Sequence, residues 1–209
     1  MVNPKMDFGC AVHCRFAEQC LGEFPPELFA KRDDLLKDRV AIETKRYLGR
    51  DFRRVGHATR VARYAEEIVR EEKGDPAVVL SAAYLKDLGL TEAKGREMRG
   101  APQDRDHEVS DAAREILTRL GARQDLIEEV CDIISRSQPG AQETMNFKVL
   151  HDADLLVNLE EEQKVAPKAV KTLEKCIEES FLTRSGRDTA RRVLLESEAS
   201  SSPQRHRGR

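Results

Sequence analysis

Apolar positions recur at helical spacing along most of the chain. Val55, Ala58, Val61, Ala62, Ala65, Ile68 and Val69 follow in steps of three and one, so that partners three and four positions apart recur. That spacing puts one apolar stripe on an amphipathic helix over 55–70. Gly74-Asp75-Pro76 ends this helix and opens another, because a first-turn proline gives up an N–H that would have no partner there. From 77 to 88 the next helix is apolar almost all round (AVVLSAAYL), the mark of a helix buried at the centre of a domain. A third stripe, Val109, Ala112, Ala113, Ile116, Leu117 and Leu120, predicts a helix over 107–120 that opens at His107 and stops at Gly121 as a C-terminal cap. Further helices are expected over 27–48 (ending near Gly49), 124–137, 144–159, 167–181 and 186–196. The segment 91–106, TEAKGREMRGAPQDRD, reads as a long loop. Strand-like alternation is missing, so the expected fold class is all-α.

Polar residues on apolar stripes carry the candidate chemistry. Positions 150, 153, 154 and 157 share a helix face; three are Leu150, Ala153 and Val157, and the fourth is Asp154. Val79 and Ala83 share a face with Asp87, and Val79, Ala82 and Ala83 cluster with Lys86. A carboxylate in a dry interior needs a cation, a metal or several donors. Two of them on separate helices suggest a shared cation, which His57 and His107 could help to hold. Histidine with carboxylate suits Fe, Mn, Zn or Co. The alternative is that Asp87 and Asp154 pair with Lys86 or with helix N-terminal amides. Arg53, Arg54, Arg60 and Arg63 read as a solvated helix face, since Asp51, Glu66 and Glu67 answer their charge.

The 209 residues suit one domain with modest additions. Residues 1–24 form a short cysteine-bearing leader, 25–196 the helical domain, and 197–209 a Ser-rich, basic tail expected to be disordered. Hydrophobic residues make up 39% and charged residues 35%, the balance of a soluble protein with a charged surface. The net charge of −2 provides no global basic field for duplex nucleic acid or an anionic membrane. No apolar run is long enough to span a bilayer, and the first residues lack a signal-peptide core. The expected location is the cytoplasm.

The ordered segments resemble those of the HD-domain superfamily, over about 53–195. GHATRVARYAEEI is similar to the first-histidine helix, with His57 in the ligand position. VVLSAAYLKDLG resembles the segment that normally ends in His-Asp and here reads Lys86-Asp87. HEVSDAAREILTRLG is similar to the next helix, headed by His107. VLHDADLLVNL resembles the closing segment, with Asp154 in the ligand position and Asp152 close by. FLTRSGRDTARRVLL is similar to the C-terminal helix. The resemblance implies an HD-domain helical bundle holding a divalent metal (Mn, Fe, Zn or Co) through His57, Asp87, His107 and Asp154. It also implies hydrolysis of phosphate esters or nucleotides, with Asp87 orienting or activating water.

Two positions depart from that pattern. An ammonium has three donors and no lone pair, so Lys86 cannot ligate as the missing histidine would. CDIISRSQPG carries Ser137 and Gln138 where two-metal relatives often have a histidine. Three readings stay open: a one-metal hydrolase in which Lys86 turns toward the phosphate; a binding or regulatory module in which Lys86 replaces the metal; and a scaffold for contacts made elsewhere. Lys94, Arg96 and Arg99 in the following loop could close over an anionic substrate, or belong to a solvated loop.

In the leader, Cys10, His13, Cys14 and Cys20 lie within eleven positions. Three thiolates and an imidazole would satisfy tetrahedral Zn; three thiolates with Cys131 or Cys176 could hold an iron–sulfur cluster. The same cysteines could equally serve as small buried apolar residues.

Overall fold

A computed structural model describes residues 26–88, 102–136 and 143–196, with 26–34 and 102–108 as backbone only. Eight α-helices follow one another among the described residues: α1 Pro26–Leu48, α2 Phe52–Glu71, α3 Pro76–Leu85, α4 Pro102–Arg119, α5 Gln124–Ile134, α6 Met145–Val165, α7 Val170–Ser180 and α8 Arg184–Arg191. A π-helical turn, Arg192–Glu196, extends α8. No strand occurs among the described residues, so the fold is all-α, as its periodicity predicts. The chain divides within α1, and everything that follows concerns the second unit, Leu36–Arg209.

Local signals set the helix ends. The Asp51 carboxylate accepts from the Arg54 N–H at 3.1 Å and starts α2, and Asp75 does the same for Ala77 at 2.8 Å ahead of α3. Thr144 and Thr183 cap α6 and α8 through their hydroxyls. Each satisfies an N–H that the helix itself leaves without a partner. Gly49, directly after α1, and Gly121, two residues past the end of α4, have positive φ (60° and 72°), the left-handed conformation that glycine adopts without steric cost.

The core is built around α3, which packs against α2, α5 and α6. Val78, Val79, Leu80, Ser81, Ala82, Ala83 and Leu85 are all buried, which is why the stretch has no polar face. Ile68 of α2, Leu117 of α4, Leu126 of α5 and Leu156 of α6 are among its largest fully buried side chains.

Several boundaries differ from the sequence expectation. The buried helix ends at Leu85 rather than 88, and Lys86 is its C-terminal cap. α4 starts at Pro102, five residues before His107, because its proline suits a first helical turn. Residues 102–106 of the expected loop are therefore helical. α6 runs on to Val165, beyond 159, since Glu160–Val165 continue with good helix formers. Pro167 stays outside α7, which starts at Val170, and α8 begins at Arg184 rather than 186 because Thr183 supplies the cap. The leader with Cys10, His13, Cys14 and Cys20, the loop residues Lys94, Arg96 and Arg99, Ser137 and Gln138, and the tail 197–209 lie outside the described residues.

Candidate functional site

Three elements bring charged side chains to one place. α2 carries His57, at the edge of its buried stripe beside Ala58. The Lys86 N–H still donates to the Ala82 carbonyl at 3.0 Å, after which the backbone leaves the helix. Lys86 and Asp87 thus emerge at the rim of the apolar centre, mostly covered but not sealed, with side chains 18% and 16% exposed. On α6, Asp154, Asn158 and Glu161 follow at intervals of four and three, so they share a face.

The Lys86 ammonium lies between two carboxylates, with Nζ 2.9 Å from Asp87 Oδ1 and 3.0 Å from Asp154 Oδ1. His57 Nε2 is 3.1 Å from that same Asp154 oxygen and 3.8 Å from Asp87 Oδ2. His57 Nδ1 is 3.3 Å from Glu161 Oε1, which also accepts from Arg60. Asn158 donates to the second Asp154 oxygen at 3.4 Å.

These contacts favour the charged forms of His57, Asp154 and Lys86. The hydrogen bond to Asp154 holds the His57 imidazole above its ordinary pKa; burial opposes this, and Asp87 and Glu161 reinforce it. For Asp154, burial pushes the pKa up, yet His57 and Lys86 outweigh it and leave the carboxyl below its usual range. Burial likewise works against the Lys86 ammonium, and Asp87 and Asp154 overcome it and raise its pKa. A carboxylate faces each ring nitrogen of His57, an arrangement that favours the protonated ring.

Beside the cluster is a cavity of about 560 Å³. The four cluster residues line it together with Asp51, Arg53, Arg54, Asn158 and Glu161. Arg54 is fixed by its own cap residue, with Nε 3.2 Å from Asp51 Oδ2. Arg53 and Arg54 therefore belong to a cavity wall, where the sequence suggested a solvated helix face. Arg60 turns to Glu161, and the Arg63 guanidinium sits 4.6 Å from the centre of the Tyr64 ring.

Of the residues singled out from sequence, His57, Lys86, Asp87 and Asp154 converge. His107 falls within the backbone of α4, and its side chain lies outside the described residues. Asp87 and Asp154 are mostly covered residues of the cavity wall rather than carboxylates sealed in the core. Among the described residues, the fully buried carboxylate is Asp152. Sequence reasoning did not single out Glu161, Asn158 or Arg54 as site residues; the 154, 158, 161 spacing on one helix was the available signal for the first two. Cys131 is buried in the core and donates to the Ser110 carbonyl at 3.5 Å, and Cys176 approaches Ser180 Oγ at 3.9 Å.

As arranged, the donors suit an ammonium better than a divalent metal. One Asp154 oxygen serves both Lys86 and His57, Lys86 holds the Asp87 oxygen nearest to it, and the His57 nitrogens both face carboxylates. Among the described residues, no three His, Cys, Asp or Glu side chains form a group that could hold a metal ion.

The class defined by this fold and site is an all-helical domain with an ionic cluster at the wall of a polar cavity. Within that class the chain belongs to the HD domain family, whose model matches residues 54–179. Proteins of this family are phosphohydrolase-like and typically depend on a divalent metal. No curated protein and no solved structure matches the chain. Among the described residues no helix is long and apolar enough to cross a membrane.

Proposed function

We propose that this HD-domain protein binds a phosphorylated small molecule or nucleotide in the cavity beside His57, with Lys86 standing in for a metal. The observation that carries this reading is the position of Lys86 Nζ, at hydrogen-bond distance from Asp87 and Asp154 together. Two carboxylates brought this close repel each other, and one cation answers that repulsion. A divalent ion does so in a metal-dependent site; here an ammonium does it from within the chain. The cost is chemical. An ammonium does not polarise a bound water as a Lewis acid does, so hydrolysis of phosphate esters should be poor. What remains is recognition: Arg53, Arg54 and Lys86 offer cations to a phosphate. The role is then that of a binding or regulatory module inside the cell, with Lys94, Arg96 and Arg99, which follow Asp87 in the sequence, as further candidates for the anion.

One observation favours the other reading, a one-metal hydrolase using His57, Asp87, Asp154 and His107. Asp87 Oδ2 is buried without a hydrogen-bond partner, so one acceptor near His57 is left for a further group. Elemental analysis and phosphatase assays on the wild type and Lys86→His, purified without chelator, decide between the two. The expected result is little divalent metal and weak turnover in the wild type, with metal gained in Lys86→His because imidazole supplies a lone pair. Stoichiometric metal in an active wild type, with turnover abolished by Lys86→His, would make Lys86 a substrate-binding or catalytic residue instead.

A further inference from the structure

The corner where α1 passes into α2 gathers cations and aromatic rings that the fold leaves uncovered. Leu48 is buried there, while Lys45, Arg46, Tyr47, Arg50, Phe52 and Arg53 around it are exposed. A stretch this exposed is a protruding tip rather than a groove. Backbone bonds hold it in shape: the Gly49 N–H donates to the Lys45 carbonyl at 3.0 Å, Asp51 to Leu48 at 3.1 Å and Phe52 to Arg50 at 2.8 Å. The aromatic rings are out of place for their chemistry. Phe147, Phe181 and Tyr64 are buried, whereas Tyr47 and Phe52 are 46% and 79% exposed. The charges are equally unanswered. Glu43 is taken by Arg46 and Arg119, and Asp51 by Arg54. Lys45, Arg50 and Arg53 pair with no acid among the described residues.

Three unpaired cations beside two bare rings call for a partner that is anionic and partly apolar. Shape narrows the class. A single nucleic-acid strand lies along a basic groove with its bases stacked, and a peptide needs a groove or a sheet edge; a protruding tip offers neither. A lipid surface yields to a tip. Aromatic rings settle at the boundary between headgroups and acyl chains. Lys and Arg keep their stems in the apolar layer and their charged heads among the headgroups. The net charge of −2 gives no attraction from afar, but cations gathered on one corner act on an anionic surface within a Debye length of about 8 Å.

We propose that the α1–α2 corner docks the protein on an anionic lipid surface, with Tyr47 and Phe52 in the headgroup layer and Lys45, Arg50 and Arg53 against lipid phosphates. Docking of this kind is peripheral and reversible, since only a few side chains enter the layer. It holds whatever the cavity binds.

The test is co-sedimentation of the full chain with vesicles of phosphatidylcholine, with or without phosphatidylserine, at low and high salt. The chain contains no tryptophan, so Phe52→Trp places a single indole on the corner. Binding should require phosphatidylserine, weaken as salt rises, and shift the indole emission to the blue. Arg50→Gln should weaken binding about fivefold, or about 1 kcal/mol. Phe52→Ala should weaken it as well, and neither change should lower the melting temperature, because both positions are exposed. The tail 197–209 is also basic. Vesicle binding that leaves the indole unshifted and survives Arg50→Gln and Phe52→Ala would assign the contact to another surface and overturn the proposal. Equal binding to phosphatidylcholine alone, or none to either vesicle at low salt, would overturn it too. So would an indole that responds to an oligothymidylate strand but not to vesicles, which would make the corner a nucleic-acid contact.

Discussion

Asp152 and Asp154 stand two residues apart on α6, carry the same charge, and are neutralised in opposite ways. Asp152 is fully buried and accepts from the amides of Leu182 and Thr183, both at 2.8 Å, and from the Thr183 hydroxyl at 2.7 Å. His151 Nδ1 lies 3.3 Å away as well. These donors come chiefly from the turn that starts α8, so the carboxylate fastens α8 to α6. The fit is close enough that a Cβ at Gly186 would fall 2.2 Å from Asp152 Oδ2. Asp154 instead faces the cavity and is answered by the Lys86 ammonium and the His57 ring. Donors fixed by the backbone make a carboxylate part of the framework. Side-chain partners at a cavity wall are not tied to the backbone ladder, so such a carboxylate can exchange partners with a ligand, and that is the property a binding site needs.

Removing Asp152 itself, and separately the Lys86 partner of Asp154, should separate the two roles. Asp152→Ala strands three donors in a sealed interior, and each buried unsatisfied group costs about 1–3 kcal/mol. The expected loss is about 3–5 kcal/mol, visible as a fall in melting temperature on the order of 10 °C for a chain of this size. Thermal unfolding that changes by less than a few degrees would refute the framework role.

Lys86→Ala should cost less, about 1–3 kcal/mol. Breaking a sealed ion pair costs roughly 3–5 kcal/mol, but here the cavity admits water to Asp87 and Asp154. Because the penalty comes from two carboxylates left facing each other, Asp154→Asn added to Lys86→Ala should recover part of it. The double-mutant cycle measures this coupling directly. Simple additivity would mean that Lys86 stabilises the fold by some route other than these carboxylates.

How far the sequence carries this comparison depends on where each partner lies. The helices were legible because their apolar stripes are long and regular, as in α2, or all-apolar, as in α3. The family match rests on ordered segments that include the same helices. Lys86 and Asp154 stood out because each interrupts such a stripe. Asp152 did not, since its partners, Leu182 and Thr183, arrive about thirty residues later and only folding brings them near. Glu161 sits in the run Glu160-Glu161-Glu162, where composition gives no reason to prefer one acid; tertiary packing against His57 and Arg60 selects it. Arg54 was hidden for the converse reason. Its nearby acid Asp51 suggested a satisfied surface pair, and nothing in the sequence reveals that a cavity opens beside it. The end of α3 at Leu85 also escaped the periodicity, because Lys86 keeps a helical hydrogen bond while its side chain already leaves the apolar centre.

The smallest effect concerns pH, and it should appear at Asp154's cluster through His57. Hydrogen bonding to Asp154 raises the His57 pKa in the folded chain above the ordinary value of about 6.5. A group shifted in this direction stabilises the fold fully below its unfolded pKa, and that contribution is lost as pH rises through the folded one. The Asp154 pKa is shifted down, so its share is present above its unfolded value and disappears as pH falls through the folded one. Both contributions therefore coexist only between the carboxylate range and the raised pKa of His57. Asp87, Glu161, Lys86 and Arg60 surround the pair. Melting temperatures of the wild type and His57→Gln, taken from about pH 5 to 9, should differ most at the acidic end and converge as pH rises. The gap should be on the order of 1 kcal/mol or less, because water in the cavity screens the pair. A gap that is constant across this range would show that His57 contributes packing alone, and that the ionic description of the Asp154 cluster is wrong at that residue.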